Sequence, residues 1–291
     1  MEYQILSAMK KLLYLMPFLF LFIACEQDAD VDIPETEPKL VISCFLTPQD
    51  SFIRAKITRS NPIFNSSTTL NPGPVTNATV TLYGNNTSII LAYDSATEYY
   101  QANQSLFPII GGNEYKIVVT HPSGNRAEAT TVIPLVSPAN FQCTTVDSVY
   151  SSDPYYVSGE TRFTYSFSDP AGVSNYYRFV IYDVSYSTFS GDTTLQRTSW
   201  DLFSDDNADG TTITQNSIAY YYENINSGDT LIGYDVWLLS GNEAYQRFHL
   251  SIDNYNGGGD PFSEPTLIYS NVTGGLGIFA GANSTHLRIP H

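Results

Sequence analysis

From Leu40 onward the apolar residues fall at every second position. Leu40, Ile42, Cys44 and Leu46 share one side of an extended segment. A period of two fits a half-buried strand and excludes an amphipathic helix. The same alternation returns in Phe52 to Thr58, Ala78 to Tyr83, Ser88 to Tyr93, Glu114 to Thr120 and Arg126 to Ile133. Between these runs stand Asn71-Pro72-Gly73-Pro74, Gly84-Asn85-Asn86, Gly111-Gly112-Asn113 and Pro122-Ser123-Gly124-Asn125. Such residues supply the fixed or positive φ angles that turns demand. Short strands at this spacing predict a β-sandwich over residues 39–137. Pro134 and Pro138 mark its end.

The remaining chain, 138–291, is again rich in strand patterns: Phe141 to Tyr150, Arg162 to Phe167, Tyr176 to Tyr186, Leu195 to Phe203, Thr211 to Thr214 and Leu231 to Leu239. One stretch departs from the rule. Tyr245, Phe248, Ile252 and Tyr255 recur at helical spacing, after Asn242 and before Gly257-Gly258-Gly259, which predicts one amphipathic helix capped by Asn242 and packed on a sheet. The tail returns to short strands. The expectation is a mainly β protein of two β-sandwich domains with one short helix in the second. The order of "NATVTLYG" and "GGNEYKIVVTHPSGNRAEATTVIP" resembles transthyretin-like or carboxypeptidase-regulatory-like sandwiches, and the expected sandwiches are of Ig-like or transthyretin-like type.

Ahead of the strands, Lys10-Lys11 precede an apolar run, Leu12 to Ala24, that ends at Cys25. The run is too short for a membrane span, which needs about 20 residues, and fits the core of a signal peptide. Phe22-Ile23-Ala24-Cys25 resembles the lipobox of bacterial lipoproteins, with Phe22 in place of the usual Leu. The resemblance implies that residues 1–24 are removed and that the Cys25 thiolate takes a diacylglyceryl group. Several acyl chains at about 0.8 kcal/mol per buried methylene give a stable anchor, where one chain holds only marginally. Residues 25–38 carry Glu26, Asp28, Asp30, Asp32, Glu35 and Glu37 with no apolar periodicity, the composition of a solvated acidic tether. The acids directly after Cys25 also resemble the export signal that sends Bacteroidota lipoproteins to the outer face of the outer membrane.

With 13 basic against 29 acidic residues and no basic cluster, binding to nucleic acid or anionic lipid by charge is excluded. Cys44 and Cys143 remain once Cys25 carries lipid. An exported protein can pair them, yet one lies in the first strand and the other opens the second half, so two separate buried thiols are expected, with a disulfide as the alternative.

The sharpest chemical pattern is Asp205-Asp206-Asn207-Ala208-Asp209-Gly210. Asp205, Asn207, Asp209 and Gly210 match the first half of a calcium loop, because oxygens at alternate positions converge when glycine permits a sharp turn. The second half of that motif fails, since its twelfth position is Asn216. The competing reading is an acidic surface turn. Gly275-Leu276-Gly277-Ile278-Phe279-Ala280 matches a dinucleotide fingerprint in letters only, because no β-α-β unit fits in the residues that follow, and it reads as a tight turn or bulge. His121, His249, His286 and His291 lack zinc-ligand spacing, and no nucleophile elbow occurs. A non-enzyme is expected. The 22 tyrosines include Tyr99-Tyr100, Tyr155-Tyr156, Tyr176-Tyr177 and Tyr220-Tyr221-Tyr222. One reading is that tyrosines alternating along strands cover a sheet face; the functional reading is that adjacent strand residues face opposite ways, which exposes one of each pair to a sugar or protein partner. Trp200 and Trp237 are expected in the core.

Four blocks, Cys25 to Leu46, Asp201 to Gly210, Glu243 to Ile252 and Pro261 to Gly281, together resemble a family of Bacteroidota lipoproteins defined as a domain of unknown function. The resemblance implies an outer-membrane lipoprotein encoded beside TonB-dependent transporters, and an accessory role in nutrient uptake. A free-standing surface adhesion or glycan-binding module, calcium-dependent through Asp205 to Asp209, is the alternative.

Overall fold

The computed structural model of the protein describes residues 37–61, 73–135, 138–152, 155–224, 227–255 and 267–291. Cys25, the signal segment, most of the acidic tether, the Gly257-Gly258-Gly259 run and the start of the Pro261 block lie outside them.

The alternation from Leu40 builds β1 (Leu40–Leu46), β2 (Phe52–Arg59), β3 (Thr79–Gly84), β4 (Thr87–Asp94), β5 (Tyr99–Asn103), β6 (Glu114–Thr120) and β7 (Arg126–Val132). After Pro138 the strands lengthen: β8 (Ala139–Ser152), β9 (Tyr156–Ser168), β10 (Tyr176–Ser187), β11 (Thr193–Ser204), β12 (Thr212–Asn224), β13 (Asp229–Gly241) and β14 (Leu276–Pro290). Between the last two lies α1 (Glu243–Asp253), where the Asn242 side chain accepts from the Tyr245 amide at 3.0 Å and so satisfies one free helix N–H. Among the described residues the protein is thus predominantly β with a single short α-helix, in two sheets. One has eleven strands in the order β11-β10-β13-β14-β1-β2-β5-β4-β3-β6-β7, and the other has three, β12-β9-β8.

β14 joins the parts on either side of Pro138. Its first half, Leu276 to Gly281, pairs parallel with β1, and its second half, Ala282 to Pro290, pairs antiparallel with β13. The tail is therefore one long strand and not the expected series of short ones. Phe279 enters the first core, and Leu287 and Ile289 pack on the second. The dinucleotide-like letters lie at the start of this strand. Gly277 adopts φ +106°, and a β-carbon there would overlap the Ile42 carbonyl oxygen of β1. The glycine is present because two backbones meet closely.

The eleven-stranded sheet also turns back on itself. Glu128 of β7, at its far edge, exchanges backbone hydrogen bonds of 2.9 and 2.8 Å with Thr273, just before β14. The enclosed core is largely aliphatic: Leu40, Ile42, Ile53, Ile57, Val80, Leu82, Ile117 and Val119. In the second half the three-stranded sheet lies on β10 and β13 across an aromatic core of Phe163, Tyr165, Phe167, Tyr177, Phe179 and Tyr234. A third, small cluster places Tyr245 and Phe248 of α1 over Ile278, Ala280 and Ala282 of β14.

The tryptophans correct an expectation. Trp200 is 40% exposed and Trp237 half-buried. Both lie across the sheet from Val180, on the face of the large sheet that points away from Phe179 and Ile181. The second core is filled by Phe and Tyr instead.

Candidate functional site

The Asp205 turn folds as a tight corner between β11 and β12. The Ala208 amide donates to the Asp205 carbonyl at 2.6 Å, and the Thr211 amide donates to the Ala208 carbonyl at 3.0 Å. Gly210 takes φ +70°, and a β-carbon there would come within 2.6 Å of the Ala171 side chain on the β9–β10 loop. The sharp turn read from glycine is therefore present, and it presses two loops together. That contact brings in a residue the pattern does not contain. One carboxylate oxygen from each of Asp169, Asp205 and Asp209 lies within 4.8 Å of the others.

Protein donors hold these groups in place. Asp169 accepts from the Tyr177 hydroxyl, from the Asn175 amide group at 3.2 Å and from the Gly210 amide at 2.7 Å. Asp205 is buried and accepts from the Asn175 backbone amide at 2.9 Å and its side chain at 3.1 Å. Asp209 accepts from the Gly172 amide at 2.7 Å. Burial, together with the bond to Asp169, pushes the Tyr177 hydroxyl well above its ordinary value. Chemically, three hard oxygen ligands converge as calcium prefers, and each already serves a loop amide or side chain. Asn207 is exposed between them. Asp169 follows directly on β9 and precedes Pro170; its partners lie some 40 residues away in sequence, so no local pattern announces it.

The tyrosine runs at Tyr99, Tyr176 and Tyr220 divide between faces as alternation requires, whereas Tyr155 and Tyr156 are both exposed. Tyr221 is 8% exposed and Tyr100, Tyr177 are buried, while Tyr220 and Tyr222 are 65% and 68% exposed. The outer face of the three-stranded sheet carries Tyr220 and Tyr222, the latter stacked on Tyr156 with ring centres 5.2 Å apart. Directly opposite Tyr220 on β9, Glu160 is buried, accepting from the Tyr150 hydroxyl and from Arg162, which hold its carboxyl below the usual range.

Neither described cysteine has a reactive setting. Cys44 is buried and Cys143 half-buried, both are free thiols, and burial pushes each up to about 12. His249 on α1 receives the Arg178 guanidinium at 3.0 Å. Burial, then Arg178, then Arg197 bring its imidazole down to about 3, so it is neutral at physiological pH. No helix among the described residues is long and apolar enough to cross a membrane.

A family model described as "Domain of unknown function (DUF4249)" matches residues 26–288, almost the whole chain. The protein belongs to that family. No curated protein sequence matches it. Among solved structures it is similar to the C-terminal globular domain of an oligosaccharyltransferase from Pyrococcus abyssi, at 10% identity and a TM-score of 0.16, over 87% of this chain and 48% of that one. The chain spans about half the length of that protein, and a likeness this slight carries no argument about either fold or function.

Proposed function

We propose that this DUF4249 protein is a lipid-anchored accessory lipoprotein of the outer membrane that binds a partner, a TonB-dependent transporter, in nutrient uptake. The observation that carries the reading is the segment from Lys10 through the apolar run to Ala24-Cys25, followed by six carboxylates. Lipid on Cys25 holds the chain to the membrane, and the acidic tether keeps the folded body clear of it. We read the two halves of that body as Ig-like or transthyretin-like sandwiches, which the separate aliphatic and aromatic cores support. A binding role is supported by the exposed Tyr220 and Tyr222, since tyrosine offers a rigid apolar surface with a polar tip at low entropic cost.

The test is fractionation and co-purification. Wild-type protein should stay with membranes through high-salt and carbonate washes, and Cys25→Ser should be released with its fold intact. A tagged wild-type chain extracted in detergent should bring an untagged transporter with it. A Ser variant that remains membrane-bound sinks the anchor, and a transporter that never co-purifies sinks the partnership.

The convergence of Asp169, Asp205 and Asp209 favours a second reading, a surface adhesion or glycan-binding module that uses calcium. A glycan array probed with and without a chelator decides it, and silence in both conditions removes it.

A further inference from the structure

The outward face of the second half of the large sheet carries two cross-strand rows. Directly opposed residues share a face. The first row runs Trp200, Val180, Trp237, His286 across β11, β10, β13 and β14. The second runs Arg197, Tyr182, Asp235, Arg288 across the same strands. Both tryptophans of the chain therefore stand in one row.

Between the rows is a groove of about 290 Å³ lined by Val180, Tyr182, Leu195, Asp235, Trp237 and Leu239. Val180 is 4% exposed and forms its floor. The Trp237 indole stacks on His286, ring centres 4.6 Å apart and 16° from parallel, which braces the ring where it lines the groove. Trp200 is held by the Arg197 guanidinium, 4.6 Å from its centre, and by its N–H donating to Asp253 of α1 at 3.2 Å. At the rim Arg288 donates to Asp235 at 3.1 Å.

We propose that this groove binds a saccharide, with the C–H face of a pyranose ring against Trp237 and its hydroxyls on Asp235 and Arg288. Two arguments select that occupant. The face spans four strands at about 4.8 Å and, along the groove from Asp235 to Leu239, five residues at about 3.3 Å, roughly 300 Å², well under the roughly 800 Å² per partner of a stable protein interface. The rim is also an ion pair. Covering it with an acyl chain or an aromatic side chain strips water from both charges without replacing the lost hydrogen bonds. Sugar hydroxyls replace them, donating to the carboxylate and accepting from the guanidinium. The groove is distinct from the Asp205 turn and from Cys25, so its fate does not depend on calcium or on the anchor.

Tryptophan fluorescence tests this selectively, because Trp237 lines the proposed site and the other emitter, Trp200, stands in the same cross-strand row. Purified chain is titrated with cellohexaose, maltohexaose, xylohexaose, laminarihexaose and chitohexaose at up to millimolar concentration. At least one should shift the emission saturably. Trp237→Ala should weaken binding of that sugar by roughly ten-fold or more, read by calorimetry, since an aromatic contact and its buried area are lost. Asp235→Asn should weaken it by a smaller factor, and Tyr83→Ala, an exposed tyrosine on β3 in the first half, should leave it unchanged. Circular dichroism melts confirm that each variant folds. Absence of any response across the panel overturns the proposal, as does a folded Trp237→Ala variant that binds like wild type. Binding lost in Tyr220→Ala but kept in Trp237→Ala moves the site to the tyrosine face and equally overturns it.

Discussion

The two halves of the molecule solve the same packing problem with different side chains. The strands before Pro138 are five to eight residues long and close around a largely aliphatic core into which Tyr100 and Tyr115 bring hydroxyls. Most strands after it run twelve to fifteen residues, and their core is built from rings. Rings fill a wider gap between sheets but bring hydroxyls with them, and a buried hydroxyl needs a partner. The second half supplies these partners: Thr161 bonds the Tyr234 hydroxyl at 2.6 Å, and Asp169 accepts from Tyr177. The carboxylate at the Asp205 turn thus begins as a consequence of an aromatic core. Asp169 is the one of the three clustered carboxylates that answers a buried tyrosine, Asp205 and Asp209 answering Asn175 and Gly172, and the long strands carry aromatic side chains out onto solvent faces. The first half meets these two buried tyrosine hydroxyls with backbone carbonyls instead, Tyr100 on Val75 and Tyr115 on Pro108, and the carboxylate cluster and the tyrosine face described above lie in the aromatic half.

The strand that belongs to both halves gives the largest expected effect. Gly277→Ala would place a β-carbon against the Ile42 carbonyl oxygen at a positive φ, so β1 and β14 must part. Destabilisation of more than about 4 kcal/mol is expected, in the range reserved for backbone strain and broken packing. Urea denaturation checks it. A loss below about 1 kcal/mol would mean that the parallel pairing does not couple the halves, and the comparison would become one between independent domains.

Next in size are paired core deletions, one in each half. Leu82→Ala removes a buried aliphatic group and should cost about 2–5 kcal/mol; Phe179→Ala, whose ring stacks 3.8 Å from Tyr165, should cost about 3–5 kcal/mol. If β14 makes one cooperative body, each variant shifts a single transition seen alike by tryptophan fluorescence, which reports the second half, and by far-ultraviolet dichroism, which reports both. Two separated transitions in either variant break that picture.

The contrast between halves also explains what could be read from the chain alone. β1 to β4, β6 and β7 were legible because one face of each is buried and the other wet, so alternation survives. β5 was not: in Tyr99-Tyr100-Gln101-Ala102-Asn103 only Tyr100 is fully buried, too little for a periodic signal. β12 is legible at Thr212 to Thr214 and then vanishes among Gln215, Asn216 and Ser217, although it runs on to Asn224. The path of β14 depends on pairing with β1, more than 200 residues earlier, which no local pattern encodes. For the tryptophans, residue type suggested burial, while the decision lay in which face of β10 and β13 a second layer covers. The Asp205 and Asp209 oxygens were visible in sequence spacing; Asp169 was not, because tertiary contact alone brings it in.

The smallest expected effect probes the seam between the halves through pH. His249 lies on α1, above β14, with its ring parallel to Phe45 of β1 and bonded by Arg178 of β10. Its imidazole titrates near 6.5 when unfolded and about 3 when folded, because burial and two guanidinium groups oppose its charge. Below pH 6.5 the unfolded chain therefore binds a proton that the folded chain refuses. Stability is unaffected above that point and falls between pH 6.5 and 3, by up to about 1.4 kcal/mol for each pH unit. His249→Gln keeps an acceptor for Arg178 and cannot take up the proton. Urea midpoints measured at pH 7, 6 and 5 should therefore fall more steeply in wild type than in the variant, the carboxylates common to both cancelling in the difference. Parallel slopes would place His249 in water in the folded state, and the contact of α1 with the seam would then be looser than the aromatic cluster around Phe45 requires.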